Sequence, residues 1–293
     1  MKKILMTGAT GFLGSNLLKS LLKDGHKITI LKRSFSKIER IQDEIKEVNI
    51  FDIDKTPIDK LFSKGSFDII LHCATDYGRK NTDPLMITDA NLMLPLKLLE
   101  IGIKNKVPCF INTDTLLDKR VNHYSLSKKQ FKEWLNSYSR ELICVNIAIE
   151  HFFGPFDDKT KFVSFVIDKI ISNAPEVQLT KGEQKRDFIY IDDVVDAFIK
   201  IIGNIDGLEK GFYAYEIGSN EQIAIKALIE MIKQLSRNNM TKLNFGALPY
   251  RENEVMQSNV NTKAVRALGW SPRYPLKEGL KKTIEAEIKA RKQ

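Results

Sequence analysis

The chain has 293 residues, 43 % of them apolar and 28 % charged, enough to bury a sizeable core in one large α/β unit or in a larger and a smaller lobe. No apolar run approaches the ~18 residues of a membrane span. The basic start MKKILMTGAT carries an apolar stretch too short for a signal peptide, so a soluble cytoplasmic protein with no membrane partner is expected. The net charge of +9 comes partly from the basic stretch Lys277 to Gln293, and the other basic residues are scattered, which argues against nucleic acid and leaves anionic small ligands.

Taken in chain order, the first half alternates short apolar runs with helical patterns. Lys3 to Thr7, Lys27 to Leu31, Asp68 to Cys73, Val107 to Asn112 and Leu142 to Ile149 are near-continuous apolar segments, which read as parallel strands buried on both faces. Leu13 to Leu22, Met86 to Gly102 and Ser125 to Tyr138 carry apolar residues at helical spacing. Alternation of this kind predicts an α/β fold with a doubly wound parallel sheet. After Pro155 the pattern loosens into short helices (Phe162 to Ile171, Ile191 to Ile202, Ala224 to Leu235, Thr262 to Leu268), short strands and charged loops. The expected division is a dinucleotide-binding domain over 1–155 and a smaller C-terminal substrate-binding lobe over 156–293, with 187–215 packing back onto the first. Cys73, Cys109 and Cys144 lie inside apolar runs without metal-ligand spacing, so neither a disulfide framework nor a metal site is expected.

The segment ILMTGATGFLGSNLL sets Gly8, Gly11 and Gly14 between the first strand and the first helix, the order of a Rossmann-type dinucleotide site. Gly8 makes the tight turn, Gly11 lets backbone approach a pyrophosphate, and Gly14 lets helix and strand pack closely. Thr10, Phe12 and Leu13 belong to the same loop, and Ile53 and Ala74 follow neighbouring strand ends. The second strand ends in ILKRSFSK, with no carboxylate for the ribose hydroxyls. Lys32, Arg33 and Ser34 stand where a 2′-phosphate would sit, which favours NADPH over NADH; a solvated basic loop is the plainer reading. Asp52 is an acceptor for the adenine amino group or a surface acid.

At NHYSLSKKQ, Tyr124 and Lys128 lie one helical turn apart on one face. A phenol with a pKa near 10 is a poor catalyst at neutral pH, and a neighbouring ammonium is expected to lower it. Together, Gly8-x-x-Gly11-x-x-Gly14 and Tyr124-x-x-x-Lys128 resemble the extended short-chain dehydrogenase/reductases that act on nucleotide sugars. RDFIYIDDVVDAF and RENEVMQSNVNTKAVRALGWSP are similar to two further segments of that family, so the resemblance covers essentially the whole chain. Within it, ATDYGRK, DANLMLPLKLLE, FINTDTLL, IEHFFGPFDD and FGALPYRENEVM look most like the enzymes that use NADPH to reduce the 4-keto group of a CDP-4-keto-3,6-dideoxy sugar for O-antigen assembly.

The resemblance implies Tyr124 as proton donor to the C4 oxygen and Lys128 as the group that holds the nicotinamide ribose. The helper hydroxyl falls on Thr113, with Thr115 as a competitor. Glu150 and His151, at the position of the family's usual Asn, are implied to contact the sugar or nicotinamide. Thr75, Asp76, Phe162, Arg186, Arg251 and Glu254 are the remaining substrate-side candidates, the two arginines for the pyrophosphate. Asp192 and Asp193 read as the N-cap and first-turn acid of a helix. The resemblance also implies a homodimer through the helix after Asn91 and the helix of Tyr124, with Leu92, Leu96 and Leu99 serving either the interface or the core. A sugar 4-epimerase or 4,6-dehydratase is the competing enzyme class, and the face of C4 that receives hydride stays open.

Overall fold

The computed structural model describes residues 1–79, 83–252 and 254–292. β1 (Lys3–Thr7) leads through the glycine turn into α1 (Phe12–Lys23), and β2 (Lys27–Lys32), β3 (Asn49–Asp52) and β4 (Ile69–His72) follow with only short 3-10 turns between them. Next come α2 (Pro84–Thr88), a π-turn (Asp89–Met93) and α3 (Leu94–Lys104), then β5 (Cys109–Thr115), α4 (His123–Ser137) and β6 (Ile143–Ile149). The second half adds β7 (His151–Phe153), α5 (Phe162–Ile171), β8 (Glu176–Leu179), β9 (Lys185–Tyr190), α6 (Ile191–Asn204), β10 (Gly211–Ile217), β11 (Gln222–Ala224), α7 (Ile225–Leu235), β12 (Lys242–Phe245), α8 (Lys263–Ala267) and α9 (Leu276–Arg291).

Seven strands form one parallel sheet in the order β10-β6-β5-β4-β1-β2-β3. The expected doubly wound α/β architecture is therefore present. The strand order reverses between β1 and β4, and a ligand crevice opens at the carboxyl ends of strands flanking such a switch. Burial alternates along each strand between two cores. Ile4, Met6, Cys109, Ile111, Val145 and Ile147 face one side of the sheet, with α1 and α6; Leu5, Phe110 and Cys144 face the other, with α3 and α4. β10 pairs with β6 along its whole length, from Gly211 opposite Ile143 to Ile217 opposite Ile149. Two smaller sheets, β11-β9-β7 and β12-β8, are formed by strands of the second half.

Two local readings are corrected. Met86 to Gly102 is not one regular helix but the end of α2, the π-turn and most of α3. Pro95 opens α3 and has no N–H to give to the carbonyl of Asn91, which interrupts the helical ladder where the turn widens. Asp192 is not the cap: it lies in the first turn of α6 together with Asp193. Tyr190 is the N-cap of α6, and the fully buried Asp193 carboxylate accepts the backbone N–H groups of Arg273 and Tyr274 at 2.8 and 3.1 Å. Asp187 does the same for Ser219 and Asn220, at 2.8 and 2.6 Å. The acids of RDFIYIDDVVDAF thus tie loops of the second half to β9 and α6. No helix among the described residues is long and apolar enough to cross a membrane.

Candidate active site

The crevice at the topological switch is built from backbone. Gly8 has φ +69°, and a Cβ there would lie 2.5 Å from the Cys73 carbonyl carbon and the Ala74 nitrogen. A Cβ on Gly14 would lie 2.0 Å from the Gly8 oxygen, so neither position accepts a side chain. The Gly11 N–H donates to the Gly8 carbonyl at 3.0 Å, and Gly11 caps α1 without any side-chain partner. The free N–H groups and positive end of α1 therefore face the crevice, as an anionic pyrophosphate requires. Thr7, which sequence reasoning passed over, joins the two walls: its hydroxyl accepts from the Cys73 and Ala74 N–H groups at 3.2 and 3.1 Å and bonds His72 Nδ1 at 2.9 Å.

The basic loop after β2 divides its charges. Lys32 Nζ donates to the carbonyls of Arg33 and Ser34 and lies 3.8 Å from Asp52, so its ammonium is already engaged. Asp52 also accepts from the Ser34 hydroxyl at 2.9 Å, which makes it an organiser of this loop. The Ile53 N–H is spent on the Lys32 carbonyl at 3.0 Å. Arg33 is exposed, its guanidinium 4.6 Å over the Phe35 ring.

Asn122 caps α4 through a reciprocal box with Ser125, and this sets the register that turns Tyr124 and Lys128 toward the crevice. Thr113 and Thr115 part company here. The Thr113 hydroxyl donates to the His72 carbonyl at 3.1 Å, a bond within the sheet. Thr115 hydrogen-bonds the Tyr124 phenol, and its hydroxyl also accepts the Leu117 N–H at 3.2 Å. Of the two candidates for the helper hydroxyl, Thr115 is the one that acts on the Tyr124 phenol.

Desolvation beneath Tyr77, whose ring centroid is 5.0 Å away, pushes the Tyr124 phenol well above 10, while the Thr115 hydrogen bond acts the other way. The expected lowering by Lys128 is not seen: the shift is upward, and Lys128 is not among its leading causes. Lys128 is itself buried, 1 % exposed, and burial pulls its ammonium down to about 8 against the opposing pull of Asp114. Its Nζ is buried without a hydrogen-bond partner. An orphaned ammonium beside the glycine cradle fits the ribose hydroxyls of a dinucleotide, so the chemistry of these residues matches that cofactor.

Across the crevice, Asn91 in the π-turn holds the loop after β4: it accepts the Asp76 N–H and donates to the Asp76 carbonyl, both at 2.8 Å, and donates to Ser127 on α4 at 3.1 Å. Asp76 accepts from the Gly78 N–H at 2.8 Å, a turn that sets the neighbouring Tyr77, while Thr75 is half-buried before it. Tyr77 carries Arg79 at 4.8 Å and Lys161 at 5.6 Å over its ring. Lys161 also lies over Phe152 at 4.1 Å and pairs with the buried Asp157 at 3.1 Å, which brings the start of α5, with Phe162, to the cleft.

Glu150, 5 % exposed, accepts from His151 Nδ1 at 2.8 Å, and its Oε1 is buried without a partner. The carboxylate thus fixes which ring nitrogen of His151 points away. Arg186 on β9 pairs with Glu254 and is acted on by burial first, then by Glu254, Glu150 and Arg251. Glu254 is thus the direct partner of Arg186, with Glu150 and Arg251 acting on it at longer range. Among the described residues no group of three or more His, Cys, Asp or Glu is placed to hold a metal ion.

Residues 4–218 match the NAD dependent epimerase/dehydratase family. The chain belongs to that family. Among curated relatives it is similar to CDP-abequose synthase of Salmonella muenchen, 38 % identical with 97 % of each chain covered. It is also similar to CDP-abequose synthase of Salmonella typhimurium, 32 % identical over 96 % of this chain and 97 % of the relative. Among solved structures it is similar to the UDP-glucose 4-epimerase of Thermotoga maritima with UDP-glucose, with a TM-score of 0.84, 23 % identity and 98 and 99 % coverage. The UDP-glucuronic acid 4-epimerase of Bacillus cereus, in complex with UDP-glucuronic acid and NAD, also gives 0.84, at 24 % identity and the same coverage. The epimerase/dehydratase family works with a nicotinamide dinucleotide, which suits the glycine cradle and the Lys128 ammonium.

Proposed function

We propose that this protein is an NADPH-dependent 4-ketoreductase of a nucleotide-linked 4-keto-3,6-dideoxy sugar, converting CDP-4-keto-3,6-dideoxyglucose to CDP-abequose in O-antigen biosynthesis. The observation that carries the reading is the meeting of Thr115, Tyr124 and the unpartnered Lys128 ammonium at the mouth of the glycine cradle. When bound, the reduced nicotinamide supplies the hydride for C4. The rest belongs to the chain. Tyr124 gives its proton to the C4 oxygen, Thr115 hydrogen-bonds that oxygen as charge develops on it, and the Lys128 ammonium holds the ribose and steadies the phenolate that remains. Tyr77 shields the phenol from water. Arg186 and Arg251 take the substrate's two phosphates, Glu254 orients Arg186, and Glu150 presents the free nitrogen of His151 to the sugar side.

The placement of Thr115 also weighs against a 4,6-dehydratase. Dehydratases of this family carry an acidic pair directly after the active threonine; here Asp114 follows Thr113, but Thr115 stands in place of the second acid. Arg33, whose guanidinium is free of any carboxylate in the loop, is our choice for the 2′-phosphate and hence for NADPH. The exposed apolar side chains Met86, Met93, Leu126 and Trp134 support a homodimer through the α2-to-α3 run and α4. NADPH consumption on addition of CDP-4-keto-3,6-dideoxyglucose tests the reading. No consumption with that substrate, together with turnover of UDP-glucose, would move the protein to the epimerases.

A further inference from the structure

Asp114 and Lys129 are polar groups beside the site that the chemistry above does not use. Asp114 lies between Thr113 and Thr115 but faces the other side of the sheet, toward α4, and its side chain has 0 % exposure. Its Oδ1 accepts the Thr115 backbone N–H at 2.7 Å, and its Oδ2 accepts from Lys129 Nζ at 3.2 Å and from Asn146 Nδ2 at 3.0 Å. Lys129 Nζ donates in addition to the Thr115 carbonyl. Asn146 Oδ1 accepts from Asn112 Nδ2 at 2.8 Å, which anchors the cluster on β5 and β6.

One ion pair therefore holds both main-chain polar groups of Thr115. The same pair fastens the end of β5 to α4, the helix that carries Tyr124 and Lys128. A carboxylate buried this deeply is costly unless paired and fully hydrogen-bonded, and an apolar side chain would serve plain packing better. We propose that Asp114 and Lys129 are positioning residues that clamp Thr115 in register with Tyr124 and Lys128, so that strand and helix present the proton-donating site as one unit.

The inference rests on the reading of Tyr124 as proton donor, and it has an electrostatic signature that plain packing lacks. The titratable and charged groups that face Lys128 are Asp114 from β5, Cys73 and His72 from the end of β4, and Lys129 from α4 itself. Asp114 favours the Lys128 ammonium and Lys129 opposes it. Removing the carboxylate must make Lys128 lose its proton at lower pH, and removing the Lys129 charge must delay that loss.

The test is NADPH affinity, followed by nucleotide fluorescence across pH, for the parent, Asp114→Asn, Lys129→Met and Lys129→Arg, with turnover measured on the same proteins. The pH at which NADPH affinity falls should drop by roughly one unit in Asp114→Asn and rise in Lys129→Met, in keeping with a charge at close range. Turnover should fall about tenfold in both, as expected for a misplaced reacting group, and return toward the parent in Lys129→Arg. Lys129 is partly exposed, so its two variants decide the matter if Asp114→Asn does not fold. Shifts in the same direction, no shift, or turnover within twofold of the parent in Lys129→Met would overturn the clamp. A parent that binds NADPH but leaves the keto sugar untouched would overturn the proposed reaction instead, and the opposite shifts would still decide the clamp.

Discussion

At the scale of single residues, two threonines one pleat apart have different fates. Thr113 and Thr115 point to the same face of β5, so periodicity cannot choose between them. The choice is made where the strand ends: Thr113 still has a neighbouring strand to bond, whereas Thr115 borders the turn that leads to α4. Thr115→Val should lower turnover by about 100-fold, the usual effect of removing one donor to a developing oxyanion, and Thr113→Val by less than about fivefold. Equal losses in initial rates would contradict the assignment. Tyr124→Phe should abolish most turnover and leave NADPH binding intact. Tyr124 and Lys128 were legible in the sequence because one helical turn separates them. The direction of the Tyr124 shift was not, because the desolvation beneath Tyr77 comes from a loop remote in sequence.

The loop after β2 shows the same limit. The sequence displays Lys32 and Arg33 as equals, yet Asp52 on the next strand engages Lys32 and leaves Arg33 free. Arg33→Ala should therefore raise the KM for NADPH about tenfold to hundredfold, equivalent to one charge-assisted hydrogen bond of roughly 1.5–3 kcal/mol, and leave that for NADH nearly unchanged. Equal effects on both cofactors would reduce the loop to a solvated surface.

Among the elements, the strand–glycine–helix unit was legible from spacing alone, because each glycine answers a steric demand of the turn. The structure adds that Gly14 meets the Gly8 carbonyl across the loop rather than only the strand. Gly14→Ala should cost roughly 3 kcal/mol of unfolding free energy and NADPH affinity with it, measured by denaturant titration with and without the nucleotide. An alanine variant of parental stability would contradict the close approach. The break in the expected helix from Met86 to Gly102 was hidden because apolar spacing continues across a π-turn. Its purpose lies in Asn91, which the turn directs inward to hold Asp76 and Ser127.

For the molecule as a whole, apolar runs and alternation predicted the parallel sheet, while the return of β10 to the sheet and the pairing of β7, β9 and β11 depend on long-range contacts that no local pattern carries. Leu99 is buried in the core and Leu92 and Leu96 pack against it half-buried, while the exposed apolar side chains of this region are Met86, Met93, Leu126 and Trp134. The double variant Met93→Glu with Trp134→Glu should sediment as a folded monomer where the parent sediments as a dimer. A monomeric parent would remove the dimer from the account. The central claim is the reaction, and one measurement addresses it most directly: the NMR spectrum of the product formed from CDP-4-keto-3,6-dideoxyglucose and NADPH. A single reduced sugar with the C4 configuration of abequose is the predicted result. Recovery of the unreduced keto sugar, or a product epimerised without net consumption of NADPH, would contradict it.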